Sequence, residues 1–365
     1  MSKIHDLIKT EMNNYLSNKF TFFSFCLIVL VVILHSLNVE FKSCDNLICS
    51  FQYLLSHKLA QIAVPLFFFI SGYLFFLKKD NEKKGDFSFF ITSIKKRFKT
   101  IMLPFVLWCV FWFLFMYFLQ QLPLIKKYFS EPIYLMTFRD KVLNLFYYPL
   151  NYPFWFLREL LVLQILTPLL FLGIKYLKII FVFLLFILAI FFGNIIAIYN
   201  FNILGSIPLL FFSLGAFFSL NKVNIMFKPK KINAFMLVVF WIAFNLMSIY
   251  AEKYSLPDKT IIRVGKIFKD FFGCVAVWYL YDLYNRDYQW KNYSFYNYSF
   301  FIFAFHGIPT LILVRISTII CKENPYYLFL AYVLIFVSVI VTSVFVGKII
   351  NNLLPKAYKI LTGSR

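Results

Sequence analysis

The sequence predicts an all-α, polytopic membrane protein: a helical bundle of about ten transmembrane helices with both termini cytoplasmic. Three observations predict it. The chain of 365 residues is 61% hydrophobic and only 15% charged, whereas soluble domains average about half apolar and a quarter charged. Its mean hydropathy is +0.76. Apolar stretches of about 18 or more residues, enough to cross a bilayer core, recur along the whole length. No soluble domain is visible, so residues 1–365 read as one integral-membrane domain, with 1–19 as its cytoplasmic N-terminal tail.

The predicted spans are 20–37, 61–77, 101–120, 153–173, 179–198, 203–220, 232–250, 267–284, 299–320 and 326–347. The first follows a polar tail and has no small-residue cleavage site after it, so it reads as a retained helix and not a signal peptide. The second contains "VPLFFFISGYLFF", where Ser71 and Gly72 interrupt bulky residues and let another backbone approach closely. The third is entered through "KKRFKTIMLPF" and the fourth through "NYPFWFLRELLVLQ". The sixth is the shortest. The ninth holds "FIFAFHGIPT", a histidine beside a Gly-Pro kink. No internal repeat is evident.

Lys and Arg are roughly twice as frequent in the connections on the N-terminal side as in those on the other. The loop "KKDNEKKGDFSFFITSIKKRFK" decides most of this imbalance. The net charge of +21 therefore marks cytoplasmic loops and contact with anionic headgroups, not nucleic acid. The expected location is the cytoplasmic (inner) membrane, multi-pass, with the lipid bilayer as the first partner. Cys26, Cys109 and Cys274 fall inside spans and read as packing residues. Cys44, Cys49 and Cys321 fall outside, and Cys44 with Cys49 would be a candidate disulfide in an oxidising compartment.

Ionisable residues within spans are costly and are functional candidates. His35 closes the first span about 16 residues beyond Lys19, about 24 Å along the helix at 1.5 Å per residue, in the outer part of the membrane. Arg158 and Glu159 lie one to two turns into span four, which enters from outside. The three share a depth. A histidine beside a carboxylate suits a general base, and an arginine nearby suits developing negative charge. Such a base works as neutral imidazole, so the rate should fall as pH drops below the histidine's own pKa, near 6.5 if unperturbed. The alternative is an interfacial histidine and a structural Arg–Glu pair, since adjacent helical residues point about 100° apart.

His306 counts to the inner side of span nine. It either serves a thioester-bearing cofactor arm or packs in the helix interface. Lys95, Lys96, Arg97 and Lys99 at the inner mouth of span three are either topology anchors or a cradle for the phosphates of a cytoplasmic nucleotide-bearing donor. No metal site is expected.

Taken in order, "VPLFFFISGYLFF", "KKRFKTIMLPFVLW" and "YPFWFLRELLVLQILTP", with a histidine closing span one and "FAFH" in span nine, resemble the type-three membrane acyltransferases, closest to the fucose O-acetylase-like branch. The resemblance covers most of the chain; the ordered set is specific where no single motif is. It implies an O-acyltransferase that moves an acetyl group from cytoplasmic acetyl-CoA to a hydroxyl of a cell-envelope or surface glycan. It implies His35 as the essential histidine, Arg97 as the basic residue before span three, and Trp155, Phe156, Arg158 and Glu159 as the Phe-Trp-Phe-Leu-Arg-acidic element. Trp155 and Phe156 would contact the acceptor, and Ser71 and His306 the donor arm. One departure is Ser24, where many members carry an Arg eleven residues before the histidine. A glycolipid or polysaccharide transporter or flippase is the rival class, but inverted repeats and interrupted helices in matching positions are not apparent.

Overall fold

The computed structural model describes residues 2–40, 46–77, 87–126, 131–198, 201–226, 230–253, 259–285, 293–322 and 324–364. Helices stand at all ten predicted positions. Among the described residues, five are long and apolar enough to cross a membrane, and seven if each of two bent pairs counts as one span. Two further predicted spans are short apolar helices. The last, over 267–284, carries Lys269, Asp270 and Asp282. The protein is thus a multi-pass helical membrane protein with five to seven spans meeting the full length and composition criteria.

Helix α1 (Ser2–His35) runs unbroken through the residues expected to form a tail. It contains neither Gly nor Pro, so nothing in the sequence stops it. Lys19, expected among the interfacial basic residues, is fully buried. Its ammonium pairs with Asp282 at 2.7 Å and lies 4.0 Å from the Trp278 ring centre. A short helix (Leu47–Tyr53) leads through a π turn (Leu54–Leu59) into α2 (Ala63–Phe76). Helix α3 (Phe87–Arg97) passes through a second π turn (Phe98–Met102) into α4 (Leu103–Leu119).

Span four is two helices, α5 (Trp155–Ile165) and α6 (Thr167–Leu177), bent by 59°. Pro168 has no N–H for the carbonyl of Gln164, four residues back. The hydroxyl of Thr167 donates to that carbonyl at 2.6 Å.

The expected fifth and sixth spans are cut back. Helix α7 (Ile179–Phe191) stops before Gly193, and an antiparallel pair, β1 (Asn194–Ile198) and β2 (Phe201–Gly205), replaces the rest. The β-branched run Ile195-Ile196-Ala197-Ile198 favours extended backbone once the helix has ended. This hairpin departs from the all-α expectation. Helix α8 (Ser206–Leu220) then packs against α2 with their backbones in contact. A Cβ on Gly72 would fall 2.0 Å from the Phe212 carbonyl oxygen, and one on Gly215 2.0 Å from that of Phe69. The close approach expected at Ser71–Gly72 is therefore present, with Gly215 as its counterpart.

Helices α9 (Lys231–Lys253) and α10 (Lys259–Tyr284) form a pair at the side of the bundle. Lys58 of the first π turn pairs with Glu252 of α9 at 2.6 Å. Span nine begins with a 3₁₀ turn (Ser294–Tyr298), continues as α11 (Ser299–Phe305), and bends by 67° into α12 (Gly307–Cys321). Helix α13 (Pro325–Leu353) is followed by a short terminal helix, α14 (Pro355–Leu361). Cys109 and Cys274 are buried free thiols, as packing residues would be. Cys44, one half of the candidate disulfide, lies outside the described residues.

Candidate active site

A cavity of about 540 Å³ lies between α1, α2, the α3–α4 turn, α5 and α11. On α1 it is lined from Thr21 to His35, a run of about 21 Å at 1.5 Å per residue. Its ends differ in chemistry. At one end Arg97, Thr21, Ser24 and Asn297 contribute polar groups. The middle is apolar, with Ile28, Val31, Phe67, Ile70 and Phe300, broken by the hydroxyl-bearing Ser71. His35 lines the other end, and Trp155 and Phe156 line the same cavity from α5. Five expected site residues, from four separate helices, therefore line one cavity: His35, Ser71, Arg97, Trp155 and Phe156.

His35 is the last residue of α1. Its ring meets the Tyr152 ring edge-on, 4.6 Å between centres, and stacks on His306 at 5.6 Å with 17° between the planes. His306 was expected on the opposite, inner side. The correction follows from the path of span nine. Its 3₁₀ turn already places Tyr296 against Phe25, with ring centres 5.0 Å apart. Ten residues on from each, α11 and α1 bring His306 and His35 to one level. The count from the apolar edge at 299 missed that earlier start.

His306 is fully buried and is absent from the cavity lining. Its Nδ1 lies 3.1 Å from the Ile302 carbonyl oxygen and 2.8 Å from that of Phe303. Carbonyls only accept, so Nδ1 carries the hydrogen and Nε2 is the acceptor of the neutral ring. Among the described residues Nε2 has no hydrogen-bond partner.

The bend at His306 is held from outside the helix. The Ala304 carbonyl accepts from Asn151 Nδ2 and from Trp112 Nε1, each at 2.9 Å. A Cβ on Gly307 would fall 1.9 Å from Asn151 Oδ1, so only glycine fits there. Sequence reasoning singled out neither Asn151 nor Trp112. The signal available was Pro309, which deprives Phe305 of its helical donor and forces a break close to the histidine.

Arg158 and Glu159 go elsewhere. Arg158 donates to the carbonyls of Tyr147 and Asn202, the latter at 2.6 Å, with its guanidinium over the Tyr147 ring. Glu159 is buried and accepts from the Gly205 backbone N–H at 3.2 Å. Both side chains thus clamp strand β2, and neither makes a hydrogen bond or ion pair with His35. The segment reaches the histidine through Tyr152. Lys95, Lys96 and Lys99 are exposed beside Arg97 without lining the cavity.

Residues 24–348 match the acyltransferase domain Acyl_transf_3. A 119-residue stretch is 34% identical to the succinoglycan biosynthesis protein ExoH of Rhizobium meliloti (strain 1021), covering 32% of this chain. The match spans about 30% of the length of that curated relative. No solved structure matches.

Proposed function

We propose, from the premise that this chain belongs to the Acyl_transf_3 acyltransferase family, that it transfers an acetyl group from acetyl-CoA to a hydroxyl of a cell-envelope glycan. The single observation that carries this reading is the cavity joining Arg97 to His35. A pantetheine arm has roughly twelve bonds between its sulfur and the phosphate-bearing oxygen, as many as four extended residues, or about 14 Å. It would lie along the apolar middle while its charged head stays at the Arg97 end with Lys95, Lys96 and Lys99 beside it. Guanidinium can grip phosphate oxygens in a fork. Ser24 and Arg97 line the same end, so Arg97 supplies there the basic group that Ser24 lacks.

At the other end the thioester carbonyl lies by His35. His35 takes the proton of the attacking sugar hydroxyl as its oxygen bonds to the carbonyl carbon. The C–S bond then breaks, and the departing thiolate receives that proton from the imidazolium. The transfer releases no net proton. His306, neutral and fixed through Nδ1, holds the plane of the His35 ring, and Tyr152 holds its edge. Trp155 and Phe156 form the wall against which the acceptor rests. Arg158 and Glu159 act at a distance, by fixing the hairpin beside that wall. A glycan acceptor is supported by the name of the relative, a protein of succinoglycan biosynthesis. The donor side is the cytoplasmic side of the inner membrane, given by the Lys and Arg imbalance.

The test is transfer from radiolabelled acetyl-CoA to isolated envelope glycan by purified protein. His35→Ala should fold and insert normally yet lose about 10²–10⁴ in rate, the usual worth of general-base assistance. Full activity of His35→Ala at equal protein level would remove His35 from the chemistry.

A further inference from the structure

Gln164 stands one residue before the end of α5. Leu157, Leu160 and Gln164 recur at three- and four-residue spacing, so they share one face of that helix. All three line the cavity. Trp155 and Phe156 line it from the opposite, opening end of α5. Helix α3 packs against both α5 and α6, so the end of α5 that carries Gln164 is the one turned toward α3. From Trp155 to Gln164 the helix advances about 13 Å at 1.5 Å per residue.

The chemistry of Gln164 differs from that of the wall it belongs to, which it shares with Leu157, Leu160 and Ile101. The residue is 4% exposed, and its Oε1 has no hydrogen-bond partner among the described residues. Thr167 reaches only its backbone carbonyl. A buried amide left unpaired is costly, and leucine would fill the same space without that cost. A ligand in the cavity that pairs with the amide accounts for it. Rotation about the last side-chain bond presents either end of a carboxamide, so the group can accept an N–H or donate to a carbonyl. Its natural complement is a second amide.

The donor arm carries an amide at the matching depth. His35 sits against Tyr152, just before α5 begins. With the sulfur at that level, the pantoyl carbonyl of the arm lies roughly eight bonds inward, about 9 Å at the rise of an extended chain. Helical side chains lean toward the N-terminus of their helix, which brings the Gln164 carboxamide closer to Trp155 than the 13 Å of its backbone. The other amide of the arm is only about three bonds from the sulfur and stays at the His35 end.

We infer that Gln164 is a specificity-determining residue for the donor, its carboxamide pairing with the pantoyl amide of the arm. This rests on the donor reading above.

The test is steady-state transfer to isolated envelope glycan by the full chain in nanodiscs, from three donors. Acetyl-CoA has the whole arm and head, acetylpantetheine has the arm without the phosphorylated head, and S-acetyl-N-acetylcysteamine ends after the first amide. Gln164→Leu should raise KM about tenfold for acetyl-CoA and for acetylpantetheine, the worth of one or two hydrogen bonds, with kcat held. It should leave the KM of the short donor as it was. Gln164→Met, equal in length and without the amide, should repeat this pattern. Unchanged KM for acetylpantetheine in both variants overturns the inference and leaves the donor reading standing. A rise confined to acetyl-CoA also overturns it, by moving Gln164 to the phosphorylated head. Equal loss with all three donors, or a fall in kcat alone, overturns it by making Gln164 a packing residue. A wild-type protein with the same KM for the short donor as for acetylpantetheine would sink the donor reading and this inference with it.

Discussion

Each of the two bent spans carries a proline just past its break, but the carbonyls that side chains fill there are served from opposite settings. At the α5–α6 bend, Pro168 frees the Gln164 carbonyl and the neighbouring Thr167 hydroxyl fills it at 2.6 Å. Everything needed sits within four residues, so this bend is specified locally. At the α11–α12 bend the exposed carbonyl, that of Ala304, is satisfied by Asn151 and Trp112 from two other parts of the chain. Pro309 breaks this helix locally, but the Ala304 carbonyl at the break is satisfied only by side chains from elsewhere in the bundle. This bend is also the one that sets His306 against His35. A local bend shapes the path of a helix; a bend held from afar fixes the relative position of two side chains.

The difference can be broken in steps. Gly307→Ala should have the largest effect, because its methyl group falls on Asn151 Oδ1. Displacement of reacting groups by about 1 Å can cost about 10²-fold in rate, so acyl transfer per inserted molecule should drop by about that factor. Asn151→Ala removes one of the two donors to Ala304 and should cost less, about tenfold. Trp112→Phe keeps the aromatic packing and loses only the N–H; it should cost a few-fold, consistent with one hydrogen bond of about 1 kcal/mol. Thr167→Ala should leave the transfer rate unchanged while lowering stability by about 1 kcal/mol, read as an earlier thermal midpoint in detergent. Equal loss of rate at Thr167 and Asn151 would erase the distinction between the bends.

Much of this was legible in the sequence because it depends on local pattern. Apolar length alone located helices at all ten expected positions. Ser71–Gly72 announced a close backbone approach because bulky neighbours leave no other reason for small residues there. His35, Arg97, Trp155 and Phe156 were marked by type and order, and they do share one cavity. What was hidden depends on partners far along the chain. Counting 1.5 Å per residue from an apolar edge assumes a known start, and span nine starts earlier, in the 3₁₀ turn at Ser294–Tyr298. Arg158 and Glu159 had the right depth for His35 but are spent on the backbone of a hairpin that hydropathy had read as helix. Lys19 was read as an interfacial charge because nothing nearby in sequence reveals Asp282.

The central claim is that the donor's thiol arm runs from Arg97 to His35 within the cavity. It is tested most directly by disulfide trapping with the 2-thiopyridyl disulfide of coenzyme A, followed by peptide mapping. A cysteine at Leu34, beside His35, should form the mixed disulfide readily, and the yield should collapse when Arg97 is also changed to Ala. A cysteine at Thr21, at the Arg97 end of the same wall, should form it poorly, because the sulfur has already passed that point. Efficient trapping at Thr21 with none at Leu34 would mean the arm does not reach the histidine, and would contradict the account.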